Sequence, residues 1–213
     1  MKYTVKCIEV GIMPTNCYII KKCDSRDALV IDPGDDENVI RDELHKADAS
    51  LRGILLTHGH FDHILAVGAL RQVGKPVMIH ELDAHSLTER DMFSPLVRFD
   101  PRPFEKADVF ITDGGICDFC GFEFEIMHTP GHTDGSVCYI FDDIMFSGDT
   151  LFKDSVGTLD YGGDRAKMQS TLKMLASLEN DYTVFAGHGE TTSLAREKRF
   201  NPYLSKFVSR DQI

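Results

Sequence analysis

The sequence predicts an α/β protein made of two sheets packed together with helices outside. Short apolar runs rich in β-branched residues give way to helical periodicity, and the same succession then occurs a second time. No Gly/Ser-rich or Pro-rich linker separates the two successions, which predicts one domain over residues 1–213.

The elements follow in order. Tyr3 to Val10, Asn16 to Ile20 and Ala28 to Ile31 read as strands of a meander, separated by turn-forming stretches at Gly11 to Pro14 and Lys21 to Ser25. Between Glu37 and Ala47 the apolar residues Val39, Ile40, Leu44 and Ala47 fall at helical spacing, and Gly53 to Leu56 reads as a buried strand. Ile64 to Val73 resembles a second helix, Val77 to Ile79 a strand and Leu82 to Thr88 a short helix. Ser94 to Pro103 contains Pro95, Pro101 and Pro103 and predicts an irregular connection. In the second succession Val109 to Thr112, Phe122 to Met127, Val137 to Phe141 and Ile144 to Phe146 read as strands. Helix Arg165 to Leu178, strand Thr183 to Ala186 and helical material from Ser193 complete it.

Composition removes several function classes. With 42% hydrophobic and 27% charged residues the chain can bury a full core, so disorder is not expected. A formal net charge of −11, with the acids scattered, repels phosphate backbones and argues against a nucleic-acid partner. The N-terminal residues lack the apolar run of a secretory signal, and no stretch of about 18 apolar residues could span a bilayer. A cytoplasmic location without a membrane partner is therefore expected, and with it reduced thiols at Cys7, Cys17, Cys23, Cys117, Cys120 and Cys138.

Histidines concentrate where predicted strands end. His58, His60 and His63 follow Gly53 to Leu56, His132 follows Phe122 to Met127, and His188 follows Thr183 to Ala186. In Thr57-His58-Gly59-His60-Phe61-Asp62-His63, alternation predicts His58, His60 and Asp62 on one side of an extended segment, with His63 opening the next helix. Imidazoles and carboxylates suit zinc, iron and manganese, and four donors in so short a stretch exceed what one ion takes from it. Two ions are implied. Asp149, in Ser147-Gly148-Asp149-Thr150, repeats the layout of His132 and His188: an apolar strand, a glycine, then a donor.

Taken together, Thr57-His58-x-His60-x-Asp62-His63, Pro130-Gly131-His132-Thr133, Gly148-Asp149-Thr150 and Gly187-His188-Gly189 resemble the metallo-β-lactamase superfamily, in particular its glyoxalase II-like hydrolases. The similarity extends to Asn16-Cys17-Tyr18-Ile19-Ile20, Ile31-Asp32-Pro33-Gly34 and Asn201-Pro202. The resemblance implies a four-layer αβ/βα sandwich and a two-metal site, zinc first and iron or manganese next. One ion falls to His58, His60 and His132, the other to Asp62, His63 and His188, with Asp149 bridging.

Such a pair lowers the pKa of a water toward about 7, making a bridging hydroxide the nucleophile. Asp62 is then the catalytic carboxylate that orients it, and an acyl thioester is the expected small-molecule substrate. Full glyoxalase II enzymes continue into a helical domain that binds glutathione, whereas here only Gly189 to Ile213 follow His188, which points to the short hydrolases of the group. Thr158 stands where these often have arginine.

Lys153 and Tyr161, close after Asp149, are candidates to face substrate, and His128 is a candidate supporting group. The Cys117-Asp118-Phe119-Cys120 pair, in an expected strand connection from Gly114 to Gly121, lacks the second pair a structural zinc site needs. His45, His80 and His85 read as packing or surface residues. Three other readings compete: a mononuclear iron persulfide dioxygenase using His58, His132 and Asp149, a nuclease, and a non-catalytic metal-binding domain.

Overall fold

β1 (Tyr3–Val10) and β2 (Thr15–Lys22) form an antiparallel hairpin that continues into β3 (Asp27–Ile31). The computed structural model describes residues 2–71, 74–90 and 100–208. After β3 the connections lengthen and carry helices, so β4 (Ser50–Leu55), β5 (Val77–His80) and β6 (Val109–Ile111) join in parallel. The result is a six-stranded mixed sheet in the order β1 to β6. Ala28, Leu29, Val30 and Ile31 are all fully buried, as are Ile54, Leu55 and Leu56, which is why these runs read as continuous rather than alternating.

Helix α1 (Glu37–Lys46) covers this sheet through Ile40 and Leu44, one turn apart, while Val39 is exposed although its spacing fits. The predicted helix from Ile64 begins later than expected. Leu65 N donates to Gly34 O and Ala66 N to Pro33 O, so this backbone serves the loop after β3, and α2, Val67–Arg71 among the described residues, starts three residues later than expected. Gln72 and Val73, the predicted end of that helix, lie outside the described residues. Glu81–Leu87 is a 3₁₀ helix whose first turn is capped by the ring of buried His80, which accepts from Leu82 N. Positions 94–99 of the predicted irregular connection lie outside the described residues, and 100–107 carry neither helix nor strand.

The second sheet runs β12-β11-β10-β9-β8-β7. Its strands are β7 (Gly115–Phe119), β8 (Phe122–His128), β9 (Val137–Phe141), β10 (Ile144–Gly148), β11 (Thr183–Ala186) and β12 (Thr192–Ser193). β7 corrects the expectation of a connection at Gly114 to Gly121: it is an edge strand, mostly exposed, paired with β8 through a hairpin at Cys120 and Gly121. Helix α3 (Arg165–Ser177) begins at Asp164, whose carboxylate accepts from Ala166 N and Lys167 N; those bonds hold its pKa below the usual carboxylate range. Helix α4 (Leu194–Phe200) follows β12.

The two sheets fall in two compact units, Met1–Thr112 and Asp113–Ile213, each with its own buried cluster, centred on Ile54 and Val77 in the first and on Leu172 and Leu175 in the second. Among the described residues no helix is long and apolar enough to cross a membrane.

Candidate metal centre

In the first unit the donors arise at the carboxyl ends of two neighbouring parallel strands, the usual place for a site in such a sheet. β3 and β4 pair with Ile31 opposite Leu55, so Asp32 and Thr57 emerge side by side. Asp32, at φ 50° and 1% exposed, takes three bonds: Thr57 N to Oδ1 at 2.7 Å, and Thr57 Oγ1 and His63 Nδ1 to Oδ2 at 2.6 and 3.0 Å. The Thr57 hydroxyl spends its proton on Asp32, so at 3.1 Å from His58 Nδ1 it can only accept from that ring. One carboxylate thus fixes the tautomers of two histidines, placing the proton on Nδ1 and the lone pair on Nε2 in both.

The heptad is less extended than expected. His60 is extended, but Phe61–His63 close a 3₁₀ turn, so His63 ends a turn rather than opening a helix. The turn folds the His63 ring back to 4.2 Å from that of His58, while His60 lies edge-on at 4.8 Å on the other side. Asp62 Oδ2 is 3.7 Å from His63 Nε2 and 3.0 Å from the Thr15 hydroxyl. Gly34 lies so close that a Cβ there would fall 1.7 Å from the Asp62 carbonyl oxygen, which explains the Pro33-Gly34 turn.

In the second unit β8 and β10 flank antiparallel β9 and end at the same sheet edge, and β11 runs parallel to β10. His132, Asp149 and His188 therefore emerge from one edge. Asp149 Oδ2 lies 3.4 Å from His132 Nε2 and 3.6 Å from His188 Nε2, so one carboxylate oxygen faces the coordinating atoms of both rings. His132 Nδ1 donates to the Thr158 carbonyl at 2.8 Å, which again directs the lone pair to Nε2.

The His132 turn is packed on α3: Asp164 N donates to Gly131 O, the Thr171 hydroxyl to Pro130 O, and a Cβ on Gly131 would lie 2.5 Å from Met168 Cα. The hydroxyls of Thr129 and Thr150, 2.9 Å apart, tie the His132 and Asp149 loops together, which accounts for the threonine after Asp149.

The other candidates are placed as follows. Lys153 pairs with Glu190, two residues beyond His188, and Tyr161 is half exposed. His128 Nε2 is bonded to the Asp134 carbonyl and so braces the loop that carries His132. The Thr158 side chain is exposed and bonds only Asp160. All six cysteines are free thiols. Burial raises the pKa of Cys138 to about 11, and burial together with the Asp32 charge raises that of Cys17, so neither supplies a thiolate at neutral pH.

Asp32, Thr57, Gly157 and the Thr158 carbonyl are supporting groups that pattern reading did not single out. An acid ending the strand beside the one that ends in the heptad was the available signal for the first.

Each unit's donors suit divalent metal: His58, His60, Asp62 and His63 in the first and His132, Asp149 and His188 in the second, with three of the rings held by bonds at Nδ1 so that Nε2 carries the lone pair. Residues 10–188 match the metallo-β-lactamase superfamily, and the chain belongs to that family. Within it, hydroxyacylglutathione hydrolase GloC of Haemophilus influenzae is 33% identical over 212 residues, spanning 94% of this chain and 98% of its own. Among solved structures, BLEG-1 B3 metallo-β-lactamase superposes with TM-score 0.84 at 35% identity, covering 95% of this chain and 100% of that one. TTHA1623 in a di-iron-bound form gives 0.79 at 32%, covering 93% and 100%. The expected metallo-β-lactamase fold, two mixed sheets with helices, is thus the observed one.

Proposed function

We propose that the chain is a two-metal hydrolase of acyl thioesters, of the glyoxalase II kind. The observation that carries it is the fixing of His58, His63 and His132 with their lone pairs on Nε2. The GloC likeness supports the reaction class, and the di-iron form of TTHA1623 is compatible with a two-ion site. Following the family pattern, His58, His60 and His132 hold one ion, Asp62, His63 and His188 the other, and Asp149 is shared. Zinc suits these donors best; iron and manganese accept them too.

Two divalent ions supply an acidified water and polarise the acyl carbonyl. The protein supplies the rest. Asp62 orients the attacking water through a carboxylate oxygen, while Asp32 and the Thr158 carbonyl keep the imidazoles from turning. With Thr158 in place of a cation and Lys153 occupied by Glu190, the thiol half of the substrate meets little dedicated charge. Remote contacts are what let an enzyme discriminate carriers, so the thiol carrier should matter little.

Steady-state kinetics on matched thioesters, with oxygen uptake followed in parallel, test this reading. Hydrolysis without oxygen consumption is expected, with kcat/KM for lactoyl-glutathione and a smaller thiol analogue within about tenfold, or 1.4 kcal/mol. Oxygen uptake on a persulfide would instead identify the mononuclear iron oxygenase. A metal-loaded protein inert on thioesters, lactones and β-lactams would leave a binding domain.

A further inference from the structure

In the second unit one short turn leans on all three donors. It follows Asp149, closes where Phe152 N donates to Ser155 O at 3.0 Å and Ser155 N to Phe152 O at 3.4 Å, and holds Asp154 at φ 62°. On its exit, Gly157 N donates back to Asp149 O at 2.9 Å, and the next carbonyl, of Thr158, takes the His132 proton. A Cβ on Gly157 would lie 2.7 Å from His132 Nδ1, so the strand of backbone is pressed against that ring. On its entrance, the Phe152 ring stands edge-on to His188, centroids 5.9 Å apart. Displacing this turn therefore displaces Asp149, His132 and His188 together.

The turn is held from α4. Asn201 Nδ2 lies 3.2 Å from Phe152 O, 2.9 Å from Ser155 O and 3.0 Å from Glu197 Oε2. Glu197 Oε2 also accepts from Asp154 N at 2.7 Å, and Oε1 from Thr192 Oγ1 and Arg196 Nη1, both at 2.6 Å. Both side chains are fully buried. Anchoring a helix could be done by apolar contacts without the desolvation cost of a buried carboxylate, so this network serves the polar groups it binds, and three of those are backbone groups of the turn, Phe152 O, Asp154 N and Ser155 O.

We infer that Glu197 and Asn201 are positioning residues for the metal donors, fixing the turn against which Asp149, His132 and His188 rest. The inference builds on the metal-centre reading above.

Two isosteric variants test it. Glu197→Gln presents an amide to a pair of donors whichever way it is turned, and Asn201→Asp sets a carboxylate against two carbonyls and Glu197. Thr192→Val is milder: it keeps the carboxylate but removes one of the donors that orient it toward the turn. Leu175→Ala, a cavity in the buried cluster of the same unit that removes none of the polar bonds to the turn, is the stability control. The readouts are cobalt(II) affinity by competition with a chromophoric chelator and the visible spectrum of the cobalt-loaded protein.

Affinity is expected to fall about tenfold or more in Glu197→Gln and Asn201→Asp, as for other groups that support metal ligands, with shifted cobalt bands. Thr192→Val should move both readouts the same way by less, and Leu175→Ala should lower Tm but change neither. Folded variants with wild-type affinity and spectrum would overturn the inference, as would an equal loss in Leu175→Ala. If the isosteric variants do not fold, Thr192→Val decides, and unchanged affinity there overturns it. A wild-type protein that binds no cobalt would refute the metal-centre reading itself.

Discussion

Replacing Asp32 by asparagine keeps side-chain size and suits the backbone, since asparagine tolerates the left-handed region that residue 32 occupies at φ 50° and alanine would strain it. What changes is that an acceptor-only group gains an NH₂. With the amide oxygen on Thr57 N, that NH₂ faces Thr57 Oγ1 and His63 Nδ1, the two atoms that now donate to Oδ2 at 2.6 and 3.0 Å. The Thr57 hydroxyl must then turn its proton toward His58 Nδ1, 3.1 Å away, and His63 must accept at Nδ1.

Both rings are driven to carry their proton on Nε2, the atom that has to bind metal. Loss of one supporting bond to a metal-ligating histidine weakens affinity about 10–100-fold. Two rings turned by one substitution place the expected loss near a hundredfold, about 2.7 kcal/mol. Zinc competition with a chromophoric chelator measures it, with circular dichroism confirming that the apo variant is folded. Wild-type zinc affinity in folded Asp32→Asn would refute the tautomer argument.

Three further outcomes follow from the same geometry. Gly157→Ala places a Cβ 2.2 Å from Asp149 O and 2.7 Å from His132 Nδ1; thermal unfolding should show about 1–3 kcal/mol of destabilisation, with weaker metal binding by competition titration. Thr158→Arg alters only an exposed side chain and leaves the carbonyl on His132, so zinc affinity should hold while KM for glutathione thioesters falls by up to about tenfold, one charge-assisted contact of ~1.4 kcal/mol. Cys117→Ser with Cys120→Ser, on the β7–β8 hairpin, should change stability by less than about 0.5 kcal/mol in denaturant unfolding and leave metal content as it is.

Much of this was legible in the sequence because the signals were local. Tyr3–Val10, Val137–Phe141 and Thr183–Ala186 fall where β-branched and aromatic runs place them, since an apolar run between turn signals has few other uses. The donor histidines were legible because glycine and proline turns mark the ends of those strands. β7 was hidden by the Gly114-Gly115 pair at its start and by its mostly exposed side chains, the marks of a loop as much as of an edge strand. The helix from Ile64 was overread because its periodicity is genuine, yet the backbone of Leu65 and Ala66 is committed to Gly34 and Pro33. The supporting shell was least legible of all. Asp32 reaches His63 across 31 positions and Asn201 reaches Phe152 across 49, and no short pattern encodes bonds between residues so far apart in the chain.

The most direct test of the two-ion centre is native mass spectrometry of metal-replete protein beside its Asp149→Ala variant. Two divalent ions per chain are expected in the wild type, with both weakened in the variant, since the proposed function has both ions share that carboxylate. A single ion in the wild type, or two retained undiminished in Asp149→Ala, would contradict the assignment of the seven donors to one pair of metals.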